Sequence, residues 1–120
     1  IKTMILICLG STLFTSISLL MDAMNGGAKG DALRIPAQIV SGIGFLGAGA
    51  IFQSKGNIIG LTTAALIWFT AAIGVSIGIG YPITALGFTI FAFFMLRIID
   101  PIYRVFDLNL YFHLEVLGRG

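Results

Sequence analysis

Residues 31–51 read DALRIPAQIVSGIGFLGAGAI. The stretch opens with Asp31, Arg34 and Gln38, runs on without a charge, and carries glycine at 42, 44, 47 and 49. Its apolar length approaches the roughly 20 residues that a membrane-spanning helix needs. Its polar head and Ser41 do not suit a plain anchor, because polar groups within lipid are costly and mark a pathway, a packing seam or a site.

Working outward, the whole chain has the same character. Of its 120 residues 58% are apolar and only 10% charged, with a mean hydropathy of +1.04, whereas soluble domains carry about 25% charged residues. Charge-free stretches run over residues 3–21, 35–54 and 56–96. The first two suit one helix each. The third is long enough for two and is interrupted at Gly78-Ile79-Gly80-Tyr81-Pro82, so four spanning helices are expected. The chain is too short to add a soluble domain with its own core. Lys2 ahead of an apolar run resembles a secretory signal, but the later spans and the lack of a cleavage-like site argue against one. The chain begins without an initiator methionine, and sequence ahead of Ile1 is expected.

A net charge of +2 and a pI near 9 would suggest nucleic acid in a soluble protein. Here the basic residues flank apolar spans and set topology instead. Lys2, Lys55, Arg97, Arg104 and Arg119 fall on one side of a four-span bundle, and Lys29 and Arg34 on the other. Five against two places the N-terminus and tail in the cytoplasm, with the 22–34 loop facing outward. That loop is rich in turn formers, Asn25-Gly26-Gly27 and Lys29-Gly30-Asp31. Lys55-Gly56-Asn57 makes a tighter connection, Thr62 and Thr63 offer hydroxyls to the first turn of the third helix, and Pro82 opens the fourth.

From Leu108 to Val116 apolar residues alternate with Asn109, Tyr111, His113 and Glu115, which predicts a strand with one buried face. A single strand is not stable alone, so it reads as the start of a further cytoplasmic domain, with His113 on its solvated side. The fold expected is an all-α membrane bundle over residues 1–100, followed by a tail at 101–120 that begins with this strand. Cys8 lies within the first helix and reads as a small buried hydrophobe.

Gly42-Ile43-Gly44-Phe45-Leu46-Gly47 matches the dinucleotide fingerprint letter for letter. The motif works only between a strand and a helix, with an acid about 20 residues on. Residues 60–66 are GLTTAAL, and no acid is there. Helix geometry gives these glycines a different job. At about 100° per residue, Arg34, Gln38, Ser41, Phe45 and Ala48 form one stripe flanked by Gly42, Gly44 and Gly49, opposite Ile35, Ile39, Ile43, Leu46 and Ala50. The polar stripe is expected to point into the bundle and the isoleucines towards lipid. Thr70, Gly74 and Gly78 form a comparable small-residue seam on the third helix, suited to pack on the glycines of the second, Gly47 included.

Arg34 sits at a helix start, where the helix dipole disfavours a cation by about 0.3–1 kcal/mol. It reads either as an interfacial arginine or, with Asp31, Gln38 and Ser41, as a polar cluster at the outer mouth, with Asp22 a further partner. Asp31 also suits a helix cap.

The string Asp31-x-x-Arg34-x-x-Ala37-Gln38-Ile39-Val40-Ser41-Gly42-Ile43-Gly44-Phe45-Leu46-Gly47-Ala48-Gly49, then Gly60-Leu61-Thr62-Thr63-Ala64-Ala65, Trp68 and Ala71-Ala72-Ile73-Gly74, closely resembles the MgtC/SapB family of bacterial inner-membrane proteins over residues 1–100. The resemblance implies a further N-terminal helix and, in many members, a small cytoplasmic ACT-like domain. It implies a role in growth under low magnesium and in virulence-type stress, with some members acting as regulators, including inhibition of the F-type ATP synthase. Two positions depart from the pattern: Ile59 where members often have arginine, and Ala32 where proline is usual. A regulatory membrane protein is the favoured reading, and an ion transporter or channel for magnesium or another cation is the alternative. No nucleophile–base pair, ATPase signature or metal-ligand cluster is visible, so no enzyme, cofactor or metal is expected. The partners expected are lipid, a membrane complex and a second copy of the chain, a dimer being favoured, and no nucleic acid.

Overall fold

The computed structural model describes residues 1–27 and 31–119. Four helices are present: α1 (Lys2–Met24), α2 (Arg34–Ala50), α3 (Leu61–Ile79) and α4 (Pro82–Gly118). Three of them, α1, α3 and α4, are long and apolar enough to cross a membrane. At 17 residues α2 is about 25 Å long, less than a hydrocarbon core of about 30 Å. The turn expected at Lys29-Gly30 lies outside the described residues.

Each boundary has a local cause. α1 ends at Asn25, whose N–H donates to the Met21 carbonyl at 3.1 Å, and Gly26 and Gly27 follow with φ of 75° and 64°. α3 ends at Gly80, in the left-handed region at φ 102°, with the Tyr81 N–H donating to Ser76 O at 3.0 Å. Pro82 then opens α4, so the break expected at 78–82 is present.

Between α2 and α3 lies a hairpin that the sequence reading did not anticipate. β1 (Phe52–Ser54) pairs antiparallel with β2 (Asn57–Ile59), in the register Phe52 with Ile59. Lys55 and Gly56 close it, both with positive φ (48° and 83°), the pattern of the two-residue turns whose twist matches paired strands. The hairpin returns the chain to the end of α2. There an added Cβ at Gly60 (φ 93°) would collide with the Ala50 carbonyl, so only glycine fits. Gly60 is the N-cap residue of α3 without a side-chain cap bond, and Thr62 and Thr63 are exposed on the first turn.

The strand expected at 108–116 is helical instead, as the last part of α4, which runs on through Pro101. Extending an existing helix adds a backbone hydrogen bond for each residue fixed, whereas a strand without a neighbour gains none. Contacts divide the chain into two compact units, residues 1–85 and the segment from Leu86 on. In the first, α3 is central and packs on both α1 and α2.

Ser11, Thr15 and Ser18 are buried along with Ile67 and Ala71, while large apolar residues such as Leu6, Leu13, Phe14, Leu20 and Trp68 are exposed. Water penalises large contiguous apolar surfaces and lipid does not.

Candidate functional site

The α1–α3 seam shows how this bundle uses small residues. Gly74 lies against the Cys8 carbonyl and the Ser11 side chain, and an added Cβ at Gly78 would meet Thr15 Cβ at 2.6 Å and the Thr12 carbonyl at 2.8 Å. The Thr12 hydroxyl is 2.9 Å from Cys8 O and 3.0 Å from Gly74 O, so its one proton bonds within α1 or across to α3. Thr15 is fully buried at 0% exposure, and its Oγ1 has no hydrogen-bond partner among the described residues. The third member of the seam, Thr70, donates back to Leu66 O at 2.7 Å. The seam expected to pack on α2 therefore packs on α1, because α1 supplies the hydroxyls and small side chains that fit against bare backbone.

The second expectation is largely inverted. Arg34, Gln38, Ser41, Phe45 and Ala48 are exposed, with Phe45 at 83%, while Pro36 and Gly47 are buried and Ile35, Ile39, Ile43 and Ala50 are half-buried; of the face expected towards lipid, Leu46 alone is exposed. The isoleucine face of α2 packs on the bundle and the polar stripe faces away. The branched side chains of this face turn towards α1 and α3: Ile39 and Ile43 line a cavity of about 270 Å³ with Trp68 and Ala71, and another of similar volume with Leu6, Ile7 and Phe14. Of the α2 glycines only Gly47 meets a neighbour, Ala64 of α3 at 3.7–3.8 Å; around Gly42, Gly44 and Gly49 an added Cβ finds nothing within 4 Å.

At the head of α2 the polar cluster forms with altered membership. A cavity of about 200 Å³ is lined by Ser18, Met21, Asp22, Asn25, Asp31, Arg34 and Ile35. The Ser18 hydroxyl donates to Ala32 O at 2.8 Å and so ties the inter-helix segment back onto α1. The Arg34 guanidinium lies 3.5 Å from Asp31 Oδ2, with the two side chains 74% and 54% exposed. Such an exposed pair stabilises by no more than about 1 kcal/mol and leaves both groups available to a ligand or partner. Asp31 makes no side-chain cap bond; its carbonyl accepts the Arg34 N–H at 3.1 Å instead. Asp31, Arg34 and Asp22 are thus brought together, whereas Gln38 and Ser41 lie further along the exposed face of α2. Ser18 and Asn25 were missed. A signal existed for Ser18: Ser11, Thr15, Ser18 and Asp22 recur at intervals of four, three and four, one polar stripe along α1.

The pocket combines carboxylate, amide and hydroxyl oxygens with one guanidinium. Among the described residues, no three of His, Cys, Asp and Glu converge as a metal cage would require. Two carboxylates beside room for water still suit a hydrated hard cation, and Arg34 suits an anion or an acidic side chain.

Comparisons with known proteins bear on this arrangement. The chain is 49% identical over 83 residues to YhiD of Escherichia coli (strain K12), whose name proposes magnesium transport; the match covers 67% of this chain and 39% of YhiD. It is 38% identical over 109 residues to the protein MgtC of Brucella abortus (strain 2308), covering 89% of this chain and 43% of that one. It is 52% identical over 52 residues to the protein SapB of Bacillus subtilis (strain 168), covering 42% of this chain and 22% of SapB. The chain therefore spans less than half the length of these relatives. No solved structure matches it. The sequence profile of one family matches residues 1–105, across all of α1, α2 and α3, and with three helices apolar enough to span a membrane the chain belongs to the MgtC family.

Proposed function

We propose that this chain is the membrane-embedded part of a bacterial inner-membrane protein that serves adaptation to low magnesium and virulence-type stress through contacts with other membrane proteins. The resemblance suggests the F-type ATP synthase as one such partner. The observation that carries this reading is the closed seam between α1 and α3. The Thr12 hydroxyl bonds to backbone carbonyls, Thr15 is shut in against Gly78, and Gly74 and Gly78 admit no further atom, so the hydroxyls of the seam serve packing. The polar groups of α2 and of the segment just ahead of it lie instead at the mouth and on the outer face of the helix, open to contacts. By the five-to-two distribution of Lys and Arg, the N-terminus, the Lys55 turn and the tail face the cytoplasm and the mouth faces outward.

The transporter reading has its own support. Asp22 and Asp31 line one cavity, magnesium is held by one or two carboxylates with its waters kept, and YhiD bears a transporter's name. One experiment separates the two. The full-length protein restores magnesium-limited growth of a deletion strain, Arg34→Ala abolishes this at near-normal membrane abundance, and vesicles holding the purified protein take up no more Mg²⁺ than empty ones. Uptake that disappears in Asp22→Ala would establish transport instead.

A further inference from the structure

We infer that the outer face of α2 is the surface on which a second copy of this chain packs, parallel to the first across a two-fold axis. The inference rests on the membrane reading above. Arg34, Gln38, Ser41, Phe45 and Ala48 fall within an arc of about 80° and all are exposed. An amide, a hydroxyl and a guanidinium on one helix face do not suit acyl chains, and such groups are what hold helices together in a membrane.

Three features single out a copy of the same chain as the occupant, because a two-fold interface must be complementary to itself. At the mouth end the face starts with Arg34, and Asp31 just ahead of the helix is joined to it by an exposed 3.5 Å pair that can be exchanged between copies. A turn further along, Gln38 carries both donor and acceptor and can pair with its own image. Beyond it Phe45 projects, 83% exposed, with bare backbone at Gly49 four residues after. The ring of one copy fits the hollow of the other. A partner with a single charge sign at the level of Arg34 would leave Asp31 or Arg34 opposed by its like.

The test uses the full-length protein in its native membrane, with Cys8→Ser as background. Ser41→Cys is expected to give a disulfide-linked homodimer under mild oxidation, and Phe91→Cys, exposed on α4, is not. Gly49→Leu should weaken the Ser41→Cys dimer by roughly threefold to thirtyfold, the span of one interhelical contact in a membrane. Charge exchange is read by co-expressing Asp31→Arg and Arg34→Asp copies with distinct tags: each alone dimerises poorly, and together they form the mixed dimer. Equal recovery of mixed and like dimers, cross-linking of Ser41→Cys to another protein, or a Ser41→Cys monomer would each overturn the inference. Recovery of the protein in the membrane fraction is checked separately, so failure of the membrane reading is distinguishable from failure of the dimer.

Discussion

Two helices of this chain carry rows of small residues, and the structure uses them in opposite ways. On α3, Gly74 and Gly78 are pressed against α1 so closely that a single added carbon would overlap backbone. On α2, Gly42, Gly44 and Gly49 meet no neighbour of their own chain, although their sequence pattern is the more conspicuous. A small residue permits close approach without causing it. What decides is whether another helix offers something to fit against the bared backbone, and α1 offers Ser11, Thr12 and Thr15 in register with α3.

The comparison breaks most visibly at the tight seam. Gly74→Leu is expected to destabilise the bundle by more than about 3 kcal/mol, the upper part of the range for overpacking, because backbone on both sides prevents relaxation. Loss of the protein from the membrane fraction, or a large drop in its detergent-unfolding midpoint, checks this. Normal accumulation would mean that α1 and α3 do not approach as described.

A smaller effect sharpens the comparison within the seam. Thr12→Val removes a hydroxyl bonded to carbonyls, and an interhelical bond of this kind contributes about 0.6 kcal/mol on average and at most about 1.7. Thr15→Val removes a buried hydroxyl with no described partner and should be neutral or stabilising. Unfolding free energies measured side by side should place Thr12→Val below the parent and Thr15→Val at or above it.

The smallest effect belongs to α2. Gly44→Ala fills open space and raises helix propensity, so it should stabilise the isolated chain by about 0.5–1 kcal/mol. A loss of stability in monomeric detergent conditions would show that α2 packs on its own bundle through its glycines.

Much of the fold was legible because length and hydropathy act locally. The charge-free stretches locate α1, α2, α3 and the start of α4, and Gly80 with Pro82 breaks the third stretch for reasons contained in those two residues. The Lys55-Gly56 hairpin was half legible: the tight turn was expected, but three-residue strands leave too short a pattern to read. The tail misled because alternation over 108–116 is a statement about a sheet, and α4 was already there to propagate. At the mouth, Asp31, Arg34 and Asp22 were identified by the cost of charge near lipid and Ser18 was readable from its place in the polar stripe of α1, while Asn25 became visible only when α1 and α2 were set side by side.

The orientation of α2 marks the limit of what sequence alone decides. Periodicity divides that helix into a polar, glycine-flanked stripe and an isoleucine stripe, and does so unambiguously. It carries no sign: either face can point inward, because in lipid both an apolar face and a small-residue face find acceptable surroundings. In water the hydrophobic effect would choose between them. Here the choice came from the tertiary arrangement, with the side chains of Ile39 and Ile43 turned towards α1 and α3 and the stripe headed by Arg34 left facing out.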